Sequence, residues 1–143
     1  MPVISHLLHI NAAPTQVYEK LSTIKGLCEW WTPDTSGSTE VGRELKFEFG
    51  PDYYKILIVE KSERGKLVSW RCTHAVEEWI GTVINLNLEA NESGTLLRFE
   101  HMGWKETSDM LRQCSYDWAL FLRSLKKLCD TGKGQPYPHQ AEF

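Results

Sequence analysis

The residues of this sequence with the widest chemical reach are His101 and the four cysteines. A histidine with a carboxylate beside it is a general acid–base pair, and a thiolate is a nucleophile or a metal ligand. His101 lies in the stretch Thr95 to Met102, where Leu97, Phe99 and His101 alternate with Arg98 and Glu100. The alternation puts the imidazole on the apolar face of a strand. A satisfied core histidine is the simpler reading, by roughly three to one, and an acid–base role for His101 is the only catalytic reading the residues support. Cys28, Cys72, Cys114 and Cys129 are scattered, with no C-x-x-C pair. The nearest approach to a ligand pair is Cys72-Thr73-His74, so buried free thiols are expected in place of a metal site or disulfides. G-x-S-x-G, H-E-x-x-H, P-loop and dinucleotide-binding patterns do not occur. No catalytic residue, metal or cofactor is therefore assigned.

A second group points to binding. The chain carries six tryptophans, and the rings that fall on inward faces are Phe47, Phe49, Trp70, Phe99 and Trp118, with Phe121 one turn further on. Trp31 and Trp104 lie in segments that close the ends. Among them sit a few directional polar groups, namely Cys72, Thr82, His101 and Cys114. Apolar clefts with a small number of placed polar groups are the usual sites for small molecules. Rings that merely fill a core are favoured on residue type alone by about two to one; the polar minority on the same faces argues for a pocket. The candidate ligand-contacting set is thus Trp31, Phe47, Phe49, Trp70, Cys72, Thr82, Phe99, His101, Trp104, Cys114 and Trp118.

The elements that must position these residues follow from periodicity. Val3 to Ile10 reads as a strand, and Pro14 opens a helix carrying Val17, Tyr18, Leu21 and Ile24. Gly26 is expected to interrupt it before a second short helix, Leu27 to Trp31, that ends at Thr32-Pro33. Leu45, Phe47 and Phe49 alternate along a strand. Tyr53 to Glu60 is a more uniformly apolar one, followed by Leu67 to Thr73, Trp79 to Glu89 and Thr95 to Met102. From Ser108 the period becomes 3.6 through Met110, Leu111, Cys114, Trp118, Phe121, Leu122, Leu125 and Leu128, a long amphipathic helix with a basic last turn and Gly132 at its end. The tail from about residue 133 is polar and Pro-rich, and less order is expected there. Layer packing resolves this order as one α+β domain over residues 1–143, a curved antiparallel sheet wrapped around the C-terminal helix, with two short helices after the first strand closing one end.

Composition limits the partners. The chain has 143 residues, 24% of them charged, and a net charge of −3, which is the size of one domain and gives no basic surface for nucleic acid. No run is long and apolar enough to enter a membrane, and the N-terminus has no leader pattern, so a cytoplasmic location is expected.

Several short strings together carry a resemblance. These are Ile10-Asn11-Ala12-Ala13-Pro14 with Val17-Tyr18, Gly26-Leu27 with Trp30-Trp31, Val41-Gly42 with Phe47, Trp79-Ile80-Gly81-Thr82, His101-Met102-Gly103-Trp104 and Ser124-Leu125-Lys126. Over essentially the whole chain they resemble the bacterial activator of heat-shock protein 90 ATPase homologues, of the START-related, polyketide-cyclase-like (SRPBCC) helix-grip superfamily. The resemblance implies the same helix-grip fold. It leaves function open, because that scaffold hosts lipid carriers, cyclases, aromatases, hormone receptors and co-chaperone domains. The expected function is binding of a small hydrophobic or amphipathic molecule between sheet and C-terminal helix. Two alternatives stand beside it, a cyclase- or hydrolase-type enzyme using His101, and a co-chaperone-like or homodimeric interaction module.

Overall fold

The computed structural model describes residues 1–143. In chain order the elements are β1 (Ile4–Ile10), α1 (Pro14–Leu21), α2 (Ile24–Trp30), β2 (Thr35–Gly37), β3 (Glu44–Glu48), β4 (Tyr54–Glu63), β5 (Leu67–His74), a 3-10 turn (Glu77–Trp79), β6 (Val83–Asn91), β7 (Gly94–Met102) and α3 (Asp109–Thr131). All seven strands join one antiparallel sheet in the order β1-β7-β6-β5-β4-β3-β2. The α+β architecture expected from the sequence is the one found. Register shifts in the β4–β5 pair, between Ile56 and Leu57 and between Val59 and Lys61, are the bulges that bend the sheet around a helix.

One face of each strand makes the concave side. Ile4, His101, Ile84, Trp70 and Val59 stand opposite one another in successive strands, and all five are buried. Leu111, Cys114, Trp118, Phe121, Leu122, Leu125 and Leu128 form the apolar stripe of α3 that fills this concavity. The Ser108 hydroxyl caps α3 by accepting from the Leu111 amide at 3.2 Å, and Gly132, with φ of 89°, ends it. Because the helix runs on to Thr131, Lys126 and Lys127 stand short of its end and its last turn holds no basic residue, which corrects the basic terminus expected from the sequence. Lys126 instead bonds backbone across the fold, donating to the His9 carbonyl at 2.7 Å.

Three further details differ from the sequence expectation. The break between the short helices falls at Ser22–Thr23, where the Thr23 hydroxyl caps α2 by accepting from the Gly26 amide at 3.0 Å. Gly26 lies inside α2, and a Cβ there would stand 2.6 Å from the Lys20 Cα, so glycine is needed for helix contact and not as a breaker. The segment Trp79 to Thr82 is not strand. It closes a tight turn in which the Thr82 amide and hydroxyl both donate to the Trp79 carbonyl, at 2.9 and 2.6 Å. Finally, the tail expected to be less ordered packs back on the domain. The Gln135 amide donates to the Ser124 hydroxyl at 2.8 Å and the Tyr137 amide to the Trp31 carbonyl at 2.7 Å. Its polar backbone thus finds partners that a composition-based reading cannot anticipate.

Candidate functional site: an aromatic cleft

α2 delivers Trp31 to the centre of the domain. The Trp30 indole donates to the Lys20 carbonyl at 2.9 Å, and the Thr32 hydroxyl to the Glu48 carbonyl at 2.7 Å. These bonds clamp the helix end between α1 and β3. The Trp31 ring then lies 4.2 Å from Phe47, 5.0 Å from Trp118 and 5.9 Å from Trp70, centroid to centroid, with Phe49 and Phe121 beyond at 6.0 and 6.4 Å.

On one side of this hub the rings part to leave a cleft of about 200 Å3. Trp31 forms its floor, Phe49, Tyr53 and Lys55 come from the β3–β4 hairpin, and Trp79 comes from the 3-10 turn. α3 contributes Cys114, Asp117, Trp118 and Phe121, and the tail adds Tyr137 and Gln140. Tyr137 is held edge-on to Phe49 with centroids 5.3 Å apart.

The candidate set therefore divides. Trp31, Phe49, Cys114 and Trp118 line the cleft. Phe47, Trp70, Cys72, Thr82, Phe99, His101 and Trp104 are buried behind it as core. The candidate set did not include Tyr53, Lys55, Trp79, Asp117, Phe121, Tyr137 or Gln140, although Phe121 was read as an inward ring. For Lys55 a signal was present: the buried Leu57 and Val59 share its strand parity, which directs Lys55 inward as well. Tyr137 and Gln140 had none, since their position depends on the fold-back of the tail.

His101 is fully buried and both ring nitrogens are engaged. The Trp118 indole donates to Nδ1 at 3.1 Å, so the neutral ring carries its proton on Nε2, which donates to the Thr82 hydroxyl at 2.8 Å. Thr82 passes its own proton to the Trp79 carbonyl. Every member of this chain is satisfied. Burial, aided by the Lys55 charge, lowers the His101 pKa to about 3. A neutral imidazole without a free lone pair or solvent access orders the core and has no means of exchanging a proton with a substrate.

The thiols are equally quiet. Burial pushes Cys72 and Cys114 above the ordinary thiol value and Cys129 up to about 11, and all four cysteines are free. Cys114 Sγ accepts from the Trp79 indole at 3.2 Å, which aligns one cleft wall. No group of three or more His, Cys, Asp or Glu side chains is placed to hold a metal ion.

The chemistry of the cleft lies in its lysine. Lys55 Nζ stands 3.9 Å above the Trp79 ring and 4.6 Å from that of Tyr53, and donates to the Tyr53 hydroxyl at 2.8 Å. It takes part in none of the ion pairs of the chain. The cleft thus sets a cation against aromatic faces with a wall of rings beside it.

Fold and site together define a helix-grip protein with an open aromatic cleft between sheet and C-terminal helix. The chain belongs to the family described as Activator of Hsp90 ATPase homolog 1-like protein, whose model matches residues 11–130. Among solved structures it is similar to the Aha1 dimer from Colwellia psychrerythraea, at 40% identity and a TM-score of 0.86, covering 94% of this chain and 100% of that one. A Mesorhizobium loti protein shares the fold at 20% identity, with a TM-score of 0.80 over 90% of this chain and 97% of that one. A Staphylococcus saprophyticus protein does so at 16% identity, with a TM-score of 0.77 over 93% and 95%. No curated protein matches the sequence. No helix is long and apolar enough to cross a membrane.

Proposed function

We propose that this protein binds a small hydrophobic or amphipathic molecule in the cleft between the β3–β4 hairpin, α3 and the tail. The observation that carries the proposal is a cleft of about 200 Å3 walled by Trp31, Phe49, Trp79, Trp118 and Phe121. Apolar surface of this kind is stabilised by covering it, at about 25 cal/mol per Å2 removed from water. The fully engaged state of His101 argues for binding over acid–base turnover. A screen of small aromatic fragments by 1H–15N NMR is expected to give hits that shift the indole resonances of Trp31, Trp79 and Trp118. Phe49→Ala should weaken such a hit about tenfold, the effect of about 1.4 kcal/mol of lost contact, because Phe49 is only partly covered by the protein itself. Trp70→Ala should cost stability first. Hits that map elsewhere, or that bind Phe49→Ala unchanged, would remove the cleft from consideration.

A second reading is favoured by the description of the Colwellia psychrerythraea relative as a dimer. The edge strand β1 exposes Leu7 at 63%, Val3 just before it is exposed at 43%, and Tyr116 on α3 is exposed at 61%. An edge strand with apolar side chains is a template for pairing with a second copy. Sedimentation equilibrium at micromolar to millimolar protein is expected to show a monomer–dimer transition that Leu7→Lys abolishes. A monomer throughout that range would overturn the dimer reading.

A further inference from the structure

The polar groups of the cleft are sorted by hydrogen-bond sense. On the sheet side, Tyr53 oxygen already accepts from Lys55 Nζ at 2.8 Å and from the Val76 amide at 3.2 Å. Its own proton is left to donate. Lys55 uses one of three ammonium hydrogens on Tyr53 and is neutralised by no carboxylate. The sheet side thus offers donors and a positive charge. On the side of α3 and the tail, Gln140 Oε1 is buried with no partner, and the Asp117 carboxylate accepts only from Gln113, at 3.2 Å. That side offers acceptors.

We infer that the cleft takes a small aromatic acid: one ring between the tryptophan and phenylalanine walls, a carboxylate or similar anion on Lys55 and Tyr53, and a hydroxyl donating to Gln140 or Asp117. The inference rests on the binding role proposed above and specifies the ligand class. Three observations converge on it. The volume of about 200 Å3 suits a single substituted ring, since a cavity of roughly 150 Å3 holds benzene, and it is too small to enclose a sterol. The uncompensated ammonium lies among apolar walls, where a charge-assisted bond is stronger than in water. Gln140 lines the cleft and its amide oxygen is unpaired beneath the surface, so a turn of that side chain toward a ligand hydroxyl supplies a bond the oxygen otherwise lacks, and an unpaired buried acceptor is costly. The Asp117 charge, contributed to the lining by α3 and not paired with Lys55, disfavours a second anionic group and so selects a donor for the other end of the ligand.

The test uses 4-hydroxyphenylacetate, its methyl ester, p-cresol and tyramine, each titrated into the full chain while the tryptophan indole resonances are followed. The acid is expected to bind at least about tenfold tighter than the ester or p-cresol, the margin of one charge-assisted bond, and tyramine no tighter than p-cresol. Lys55→Met should abolish the preference for the acid, bringing it to the affinity that p-cresol has for the same variant. The ester comparison asks the same question of the unaltered protein, so a folding defect in Lys55→Met does not decide the matter. Equal binding of acid and ester would overturn the ligand class and leave the binding role standing, as would a preference for tyramine. If none of the four moves the indole resonances at millimolar concentration while hits of the fragment screen do, the ligand class fails and the binding role stands.

Discussion

Trp31→Ala is expected to lower the stability of the domain by about 3–5 kcal/mol, the range for truncating a buried tryptophan. In a domain of this size the loss corresponds to a fall in Tm on the order of 10 °C. Trp31 is 1% exposed and is the ring on which both halves of the core meet. It is packed against Phe47 and Trp70 of the sheet, Trp118 of α3 and Trp30 of its own helix. Removing it leaves a void that none of these elements can close alone, because each is tied to another part of the fold. The Tyr137 amide, which donates to the Trp31 carbonyl, is a backbone contact that the substitution retains, so the tail should stay docked. Urea unfolding measures the loss, with Tyr116→Ala, at a 61% exposed position, expected to change stability by less than about 0.5 kcal/mol. A Trp31→Ala loss below about 1 kcal/mol would show that the aromatic cluster is not the mechanical centre of the domain.

The second large effect is on pH dependence. In the unfolded chain His101 binds a proton near its ordinary value, whereas in the folded protein it does so only at about 3. Between these values the unfolded state holds more protons than the folded one. The stability contributed by keeping the ring neutral is therefore complete above the unfolded pKa and is lost as pH falls toward the folded pKa. From pH 7.5 to pH 5 the loss amounts to about 2 kcal/mol for this residue, at roughly 1.4 kcal/mol per pH unit below the unfolded value. It grows at lower pH until the folded-state value is reached. His101→Gln cannot take up the proton, so the variant should show a stability profile flatter by that amount across the same interval, measured by urea unfolding at several pH values. The interval lies above the range in which most carboxylates titrate, which keeps the comparison clean. Parallel profiles would mean that His101 is not the group held neutral.

The bonds that engage both ring nitrogens of His101 explain why the residue most suggestive of catalysis reads as a structural one. Trp118 fixes the tautomer and the Thr82 hydroxyl accepts from the remaining ring N–H, so truncating Trp118 would strand an imidazole nitrogen in the core as well as opening the cleft. Trp118 is thereby a poor probe of binding, and Phe49, Tyr53 and Lys55 are better ones. The three share the β3–β4 hairpin, where the Phe49 amide donates to the Tyr53 carbonyl at 2.9 Å, so the wall they form is set by one short turn.

Most of the architecture was legible in the sequence, because periodicity reports which side of an element is buried whatever it is buried against. The period of two in Leu45, Phe47 and in Leu97, Phe99, His101, and the period of 3.6 from Leu111 to Leu128, identified strands, helix and inward faces together with the antiparallel order. Boundaries were less legible where a local bond overrules propensity, as at Thr23, which caps a helix the sequence began at Leu27, and at Thr82, which closes a turn inside an apparent strand. What periodicity cannot do is separate residues that fill the core from those that line a cleft, since both are inward and apolar. Trp70 and Phe49 look alike in the sequence; the first is sealed beneath Trp31 and the second faces the opening. That distinction depends on where α2 ends, how far the bulges in β4 and β5 bend the sheet, and where residues 133–143 fold back. Each is a contact between segments distant in the chain, and so only the tertiary structure decided it: sequence determined which side chains point inward, and the packing of remote segments decided which of them were left a space to face.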